Sequence, residues 1–169
     1  MSAQPSKFAF DLIHEPFAIT ACLWRGAMLD RFTRAEHAVL LCLDTIAATG
    51  APLPTGAFHE AAKARLKALI SILERDDFNG HSPKALERLR ELLALSDERV
   101  ALAHGTIRQA DGKVLLEWRR CQVKTGPRPE QLTLPLIELT KRLSQVDRLQ
   151  SELGCSLGQI RKAARDRIS

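Results

Sequence analysis

Apolar residues between Leu29 and Ile46 return every three or four positions, and this spacing constrains the chain more than any other feature. Phe32, Val39, Leu43 and Ile46 fall on one stripe, with Leu29, Ala35 and Leu40 beside it. That period sets the apolar side chains on one face of an α-helix; a strand would alternate every second residue. We read a helix from about Arg25 to Ala48, stopped by Thr49-Gly50-Ala51-Pro52-Leu53-Pro54. The pattern then recurs. A second helix from about Gly56 to Glu74 carries Phe58, Ala62, Leu66, Leu69 and Leu73 on its stripe. A third is capped by Ser82, with Pro83 in its first turn, and runs to about Ala103. Its stripes are Leu86, Leu89, Leu93 and Val100, and beside them Leu92, Leu95 and Leu102. A fourth starts near Thr133, with Leu136, Leu139, Leu143, Val146 and Leu153 as a near-heptad seam. Ser156 is placed to cap a short basic helix after it.

Between the third and fourth helices the period drops to two. Val114, Leu116 and Trp118 alternate after Asp111-Gly112, a dipeptide that favours a two-residue hairpin turn. Thr125-Gly126-Pro127-Arg128-Pro129 reads as a loop. The sum is an all-α, up-and-down helical bundle of four main helices with a small β-hairpin insert after the third. Residues 1–24, with Phe8, Phe10, Leu12, Ile13, Phe17 and Ile19, form an N-terminal packing segment. Residues 25–153 are the bundle, and 154–169 a basic C-terminal helix or tail.

At 169 residues, 45% of them hydrophobic and 27% charged, the chain suits one domain with a real core. Wholesale disorder and a disulfide-stapled miniprotein are excluded. The apolar run Ala38 to Leu43 falls far short of the roughly 18 residues a spanning helix needs, so no membrane partner is expected. The four cysteines form no C-x-x-C pair and no zinc spacing. Free thiols and the lack of a signal-peptide pattern point to the cytoplasm. No phosphate-binding glycine loop, dinucleotide fingerprint or nucleophile elbow occurs. His59-Glu60-Ala61-Ala62-Lys63 begins like a zinc-protease helix, but Lys63 replaces the second histidine. No metal or cofactor is expected.

The net charge of +5 permits a polyanionic partner without demanding one. Two basic stretches stand out: Arg119, Arg120, Lys124 and Arg128, and then Arg161, Lys162, Arg165 and Arg167 against Asp166 alone. Each is either a solvated face or a nucleic-acid contact.

The most informative stretch is Asp97-Glu98-Arg99-Val100-Ala101-Leu102-Ala103-His104-Gly105. Arg99 shares a stripe with Leu92, Leu95 and Leu102, and a guanidinium there needs a partner, because burying it alone is costly. Glu36, on the apolar side of the first helix, is the candidate partner. Such a pair is either structural or an orienting device for the arginine. His104 comes five residues later, about 140° round an ideal helix. The two converge only if the helix ends at Gly105, or if a second subunit completes the site. Gly105 suits such a stop through its tolerance of left-handed backbone. His104 alternatively serves only the dipole at the helix C-terminus. Asp97 and Glu98 read as solvated, and Trp118 as hairpin core rather than a stacking platform.

This Arg-x4-His-Gly stretch resembles the Arg-x4-6-His motif of the HEPN superfamily. The helix before it, the hairpin after it and the closing amphipathic helix match a common HEPN-like layout over residues 25–153. The resemblance implies an all-α homodimer and, in many members, a metal-independent RNA endonuclease of toxin–antitoxin or phage-defence systems. It would give Arg99 the scissile phosphate and His104 the role of general acid or base, with Glu36 and Gly105 in support. The types suit the chemistry: arginine grips phosphate in a fork, and histidine titrates near neutrality. A cognate antitoxin-like protein would be a further partner. Val100 stands where the family's motif usually carries a polar residue, often Asn. Some members are noncatalytic and only bind nucleic acid or a protein; here the Leu136–Leu153 seam or the basic end would serve.

Overall fold

The computed structural model describes residues 16–122 and 126–167. Its elements are α1 (Pro16–Ala48), α2 (Ala62–Leu73), α3 (Ser82–Ala94), α4 (Ser96–His104), β1 (Thr106–Ala110), β2 (Lys113–Gln122), β3 (Gly126–Pro135) and α5 (Leu136–Asp166). The protein is mostly helical, with a small antiparallel sheet ordered β1-β2-β3.

Two long helices form the frame. Met28, Phe32, Leu43 and Ile46 of α1 share one buried core with Leu149, Leu153, Leu157 and Ile160 of α5. Each such side chain contributes about 1.5–3 kcal/mol by leaving water. Of the Leu136–Leu153 seam, Leu139, Val146 and Leu153 therefore lie inside the molecule, whereas Leu136 is exposed at its start. Polar bonds along the contact give its direction. Trp24 Nε1 donates to Leu139 O at 3.0 Å. Arg31 pairs with Asp147, and Cys42 senses the charge of Arg161. The partners advance together, so α1 and α5 run parallel. An up-and-down bundle would alternate direction; here α2, α3, α4 and the sheet form one long crossover.

Several boundaries differ from the sequence reading, each for a local reason. α1 begins at Pro16, so residues 16–24 belong to the frame, with Ala21 and Trp24 buried. The remainder of the 1–24 packing segment lies outside the described residues. α2 begins only at Ala62: Gly56 takes φ +93 in a turn, and Phe58 is exposed rather than on the stripe. Ser82 is not a cap. Its hydroxyl donates to Asp76 O at 2.6 Å, and His81 occupies the cap position. The third helix breaks at Leu95 into α3 and α4, where Ser96 Oγ donates back to Leu93 O at 2.7 Å. Asp97 and Glu98 then occupy the first turn of α4, where its dipole favours acids.

Asp111 and Gly112 adopt φ +50 and +69, the mirror-image turn that suits a tight hairpin. The hairpin gains a third strand. Val114 and Leu116 are buried, and face Leu134 and Leu132 of β3 across the sheet. The segment read as a loop at Gly126–Pro129 is thus strand, as are residues up to Pro135. Its prolines are tolerated because β3 is an edge. α5 is a single helix from Leu136 to Asp166. Ser156 sits inside it, buried, with its hydroxyl donating to Glu152 O at 2.9 Å, so no separate C-terminal helix begins there.

Candidate functional site

α4 carries both motif residues and is clamped from two sides. On one side Arg99 meets Glu36 of α1: Nε donates to Oε1 at 2.8 Å and Nη2 to Oε2 at 3.3 Å. The pair anticipated from the two apolar stripes is present, and its Glu36 side chain is 15% exposed. On the other side Glu98 pairs with Arg142 of α5 through several hydrogen bonds. Glu98 is only 8% exposed, so it is not the solvated acid the sequence suggested. Its carboxylate raises the Arg142 pKa above the ordinary arginine value. Adjacent residues point about 100° apart on a helix, which lets one short helix send ion pairs to two neighbours.

Glu36 uses the side-on edge of Arg99, formed by Nε and Nη2. The end-on fork of Nη1 and Nη2 faces away from that carboxylate. Arg99 lines a cleft of about 290 Å³ between α1, the start of α2 and the start of α4. Phe32, Leu66 and Leu92 supply its apolar part. Glu36, Lys63, Arg65 and Asp97 supply charge.

His104 stands elsewhere. It is the exposed last residue of α4 and lines an open groove of about 760 Å³ over the sheet. Thr106, Arg108, Glu117, Trp118, Arg119 and Gln131 share that groove. Strand alternation puts Thr106, Arg108, Glu117, Arg119 and Gln131 on one face of the sheet, while Trp118 and its register partner Glu130 belong to the other. Arg108 pairs with Glu117 at 3.1 Å, while Arg119 is exposed. Trp118 is half-buried and packs on the core with one part of its ring system. Within one chain, then, Arg99 and His104 line different clefts.

Gly105 does end the helix, for a different reason from the one anticipated. Its φ of −77 and ψ of 156 are open to any residue. A Cβ there would lie 2.5 Å from Ala101 O and 3.0 Å from Glu117 O. Only a glycine lets the chain leave α4 so close to β2. Sequence reading also missed Arg25, whose Nη2 donates to Ala103 O at 3.0 Å and caps α4 beside His104. An isolated arginine in an apolar helix was the available signal.

The remaining basic candidates disperse. The side chain of Arg120, and Lys124 altogether, lie outside the described residues. Arg161 is half-buried, with its Nε enclosed by protein. Arg165 and Lys162 are exposed on the last turns of α5. Arg167 is held by Asp76 and lies 4.4 Å over the Phe78 ring. The C-terminal bases and Arg119 thus belong to different surfaces. Among the described residues no His, Cys, Asp and Glu cluster suited to a metal is present, and no helix is long and apolar enough to cross a membrane.

The class these features define is a helical protein with a small sheet and two separate clefts, one largely apolar around Arg99 and one more polar around His104. Comparison with protein-family models, with curated proteins and with solved structures finds no match.

Proposed function

We propose that this chain is a HEPN-like module that binds RNA and does not cut it as a single chain. The carrying observation is the separation of the motif: Arg99 is tied to Glu36 in one cleft, and His104 opens on another. Attack by a ribose 2′-hydroxyl needs the phosphate-holding guanidinium and the proton-transferring imidazole at the same phosphate. One copy does not offer that geometry. The His104 groove offers binding instead. His104, Arg108 and Arg119 supply donors and positive charge for a phosphate backbone, and Trp118 adds an aromatic edge. Glu117 and Glu130 match Arg108 and Arg119 in formal charge, and Glu117 pairs with Arg108, so binding is weak and falls with salt.

A second reading keeps catalysis, and the open end-on fork of Arg99 favours it. In a homodimer, His104 of the partner subunit would stand beside Arg99 and complete the ribonuclease of a toxin–antitoxin or phage-defence system. One experiment separates the two. Purified protein is titrated into labelled single-stranded RNA in excess EDTA, with anisotropy and gel readouts, beside Arg119→Glu and His104→Ala. The binding reading expects salt-dependent binding that Arg119→Glu removes, and intact RNA. Cleavage with cyclic-phosphate ends, abolished in His104→Ala, overturns it in favour of the composite nuclease. Absence of binding by a folded protein overturns both.

A further inference from the structure

We infer that the cleft between α1, residues 59–66 and the start of α4 is a binding site for a small organic anion: an acidic head, carboxylate or phosphate, on an apolar body. The site shares no lining residue with the His104 groove, so it stands independently of RNA binding there, although the composite-nuclease reading would use the same Arg99 fork.

Three features favour an acidic head. Arg99 is fixed by Glu36 through its side-on edge, and its end-on fork remains for a second acceptor. A preoriented fork of this kind matches carboxylate or phosphate oxygens in a bidentate fashion. Arg65 reaches the same cleft. Its Nη1 is anchored on the carbonyls of His59 and Glu60 at 2.7 and 2.6 Å, while its Nε is enclosed without a hydrogen-bond partner. That anchoring holds the Arg65 charge at the wall of the cleft, where it adds to the attraction for an acid. The wall between these arginines is Ala61, Ala62 and Lys63, where α2 begins with no side-chain cap and no acid in its first turn. Ala64 N and Arg65 N already donate to Ala61 O and Ala61 N to His59 Nδ1, so of the amides here only those of Ala62 and Lys63 add to the donors.

The carboxylates lining the cleft are mostly committed. Glu36 holds Arg99, and Asp97 pairs with Lys63 at 3.7 Å. Glu60 stands exposed at the rim. An apolar body follows from Phe32, Leu66 and Leu92. The volume of about 290 Å³ lies at the small end of ligand pockets, which suits a body the size of one phenyl ring.

The test follows methyl signals of Leu66 and Leu92 and the amide signals of Ala62 and Lys63 by NMR. The probes are benzoate, phenyl phosphate, inorganic phosphate and the neutral benzyl alcohol. Saturable shifts with benzoate or phenyl phosphate, and none with benzyl alcohol, are expected. The tighter of the two anions names the head group. Arg65→Gln should weaken binding at least roughly tenfold, since hydrogen bonds to charged groups contribute that much. Arg65 also braces its own loop, so Val100→Trp serves as the second variant. It fills the rim of the cleft from an exposed position, leaves every charge in place, and should abolish the shifts. No shifts with either aromatic anion at millimolar concentration would overturn the proposal. So would shifts that survive in Val100→Trp, or benzyl alcohol binding equally well. Inorganic phosphate binding as tightly as phenyl phosphate would overturn the apolar body.

Discussion

At Gly105 the physics is one of space rather than backbone freedom. Its absent Cβ is what allows the Ala101 and Glu117 carbonyls to close on the turn. Gly105→Ala should cost about 1–3 kcal/mol, the range for overpacking a tight site, read as a lower denaturation midpoint in urea. Glu98 makes a complementary case. Removing it leaves the Arg142 charge half-enclosed without its carboxylate, so Glu98→Ala should cost about 3 kcal/mol, with Arg142 one-third exposed and the loss held to the low end. The cysteines provide a separate check. Burial pushes the Cys42 thiol up to about 12, while Cys22 and Cys155 are exposed. At pH 8 a thiol reagent should label Cys22 and Cys155 in the native protein, and Cys42 only as fast as the chain opens.

Among the elements, the junction of α5 with the α2–α3 loop is held by charge. Phe78, Asn79 and Gly80 all have positive φ, and Asp76 and Asp77 accept the N–H groups of Phe78 and Gly80 to hold that turn. Arg167, at the end of α5, then pairs with Asp76. This pair lowers the Asp76 pKa below the usual carboxylate value. A carboxylate whose folded pKa is depressed adds stability above its unfolded pKa, near 4, and loses it as pH falls through the lowered folded value. Asp76→Asn should therefore flatten the acid limb of the stability–pH curve below about pH 4, with little change above pH 6 beyond a uniform offset. The effect is modest because the pair is partly solvated. A curve as steep as wild type would mean that Arg167 does not hold Asp76 in solution.

The whole molecule depends on the parallel α1–α5 pair. Leu153, Leu157, Ile160, Ala163 and Ala164 are buried in the core that also holds Leu43 and Ile46 of the C-terminal half of α1. Truncation after Gln150 should abolish cooperative unfolding in circular dichroism, since it uncovers Leu43 and Ile46 together. Parallel neighbours joined through a long crossover are also distant in sequence. Closing that loop costs entropy before its contacts form, so folding should be slower than in an up-and-down bundle of equal length. Stopped-flow refolding in milliseconds or longer is the expected result.

Much of the helical content was legible in the sequence, because a helix-spaced stripe must be buried against something. Leu66, Leu69 and Leu73, Phe32, Val39 and Leu43, and Leu139, Val146 and Leu153 are all in the core. Asp111-Gly112 marked its turn because few residues accept two positive φ angles in succession. Even the Glu36–Arg99 pair could be drawn from two inward charges on apolar stripes. Direction, partition and commitment could not. Periodicity has no sign, so it does not distinguish a parallel neighbour from an antiparallel one. β3 was hidden because edge strands admit prolines that elsewhere announce loops. The burial of Glu98 and the division of Arg99 and His104 between two clefts depend on which surfaces meet across α4. Those are distances between residues far apart in the chain, and only tertiary packing determines them.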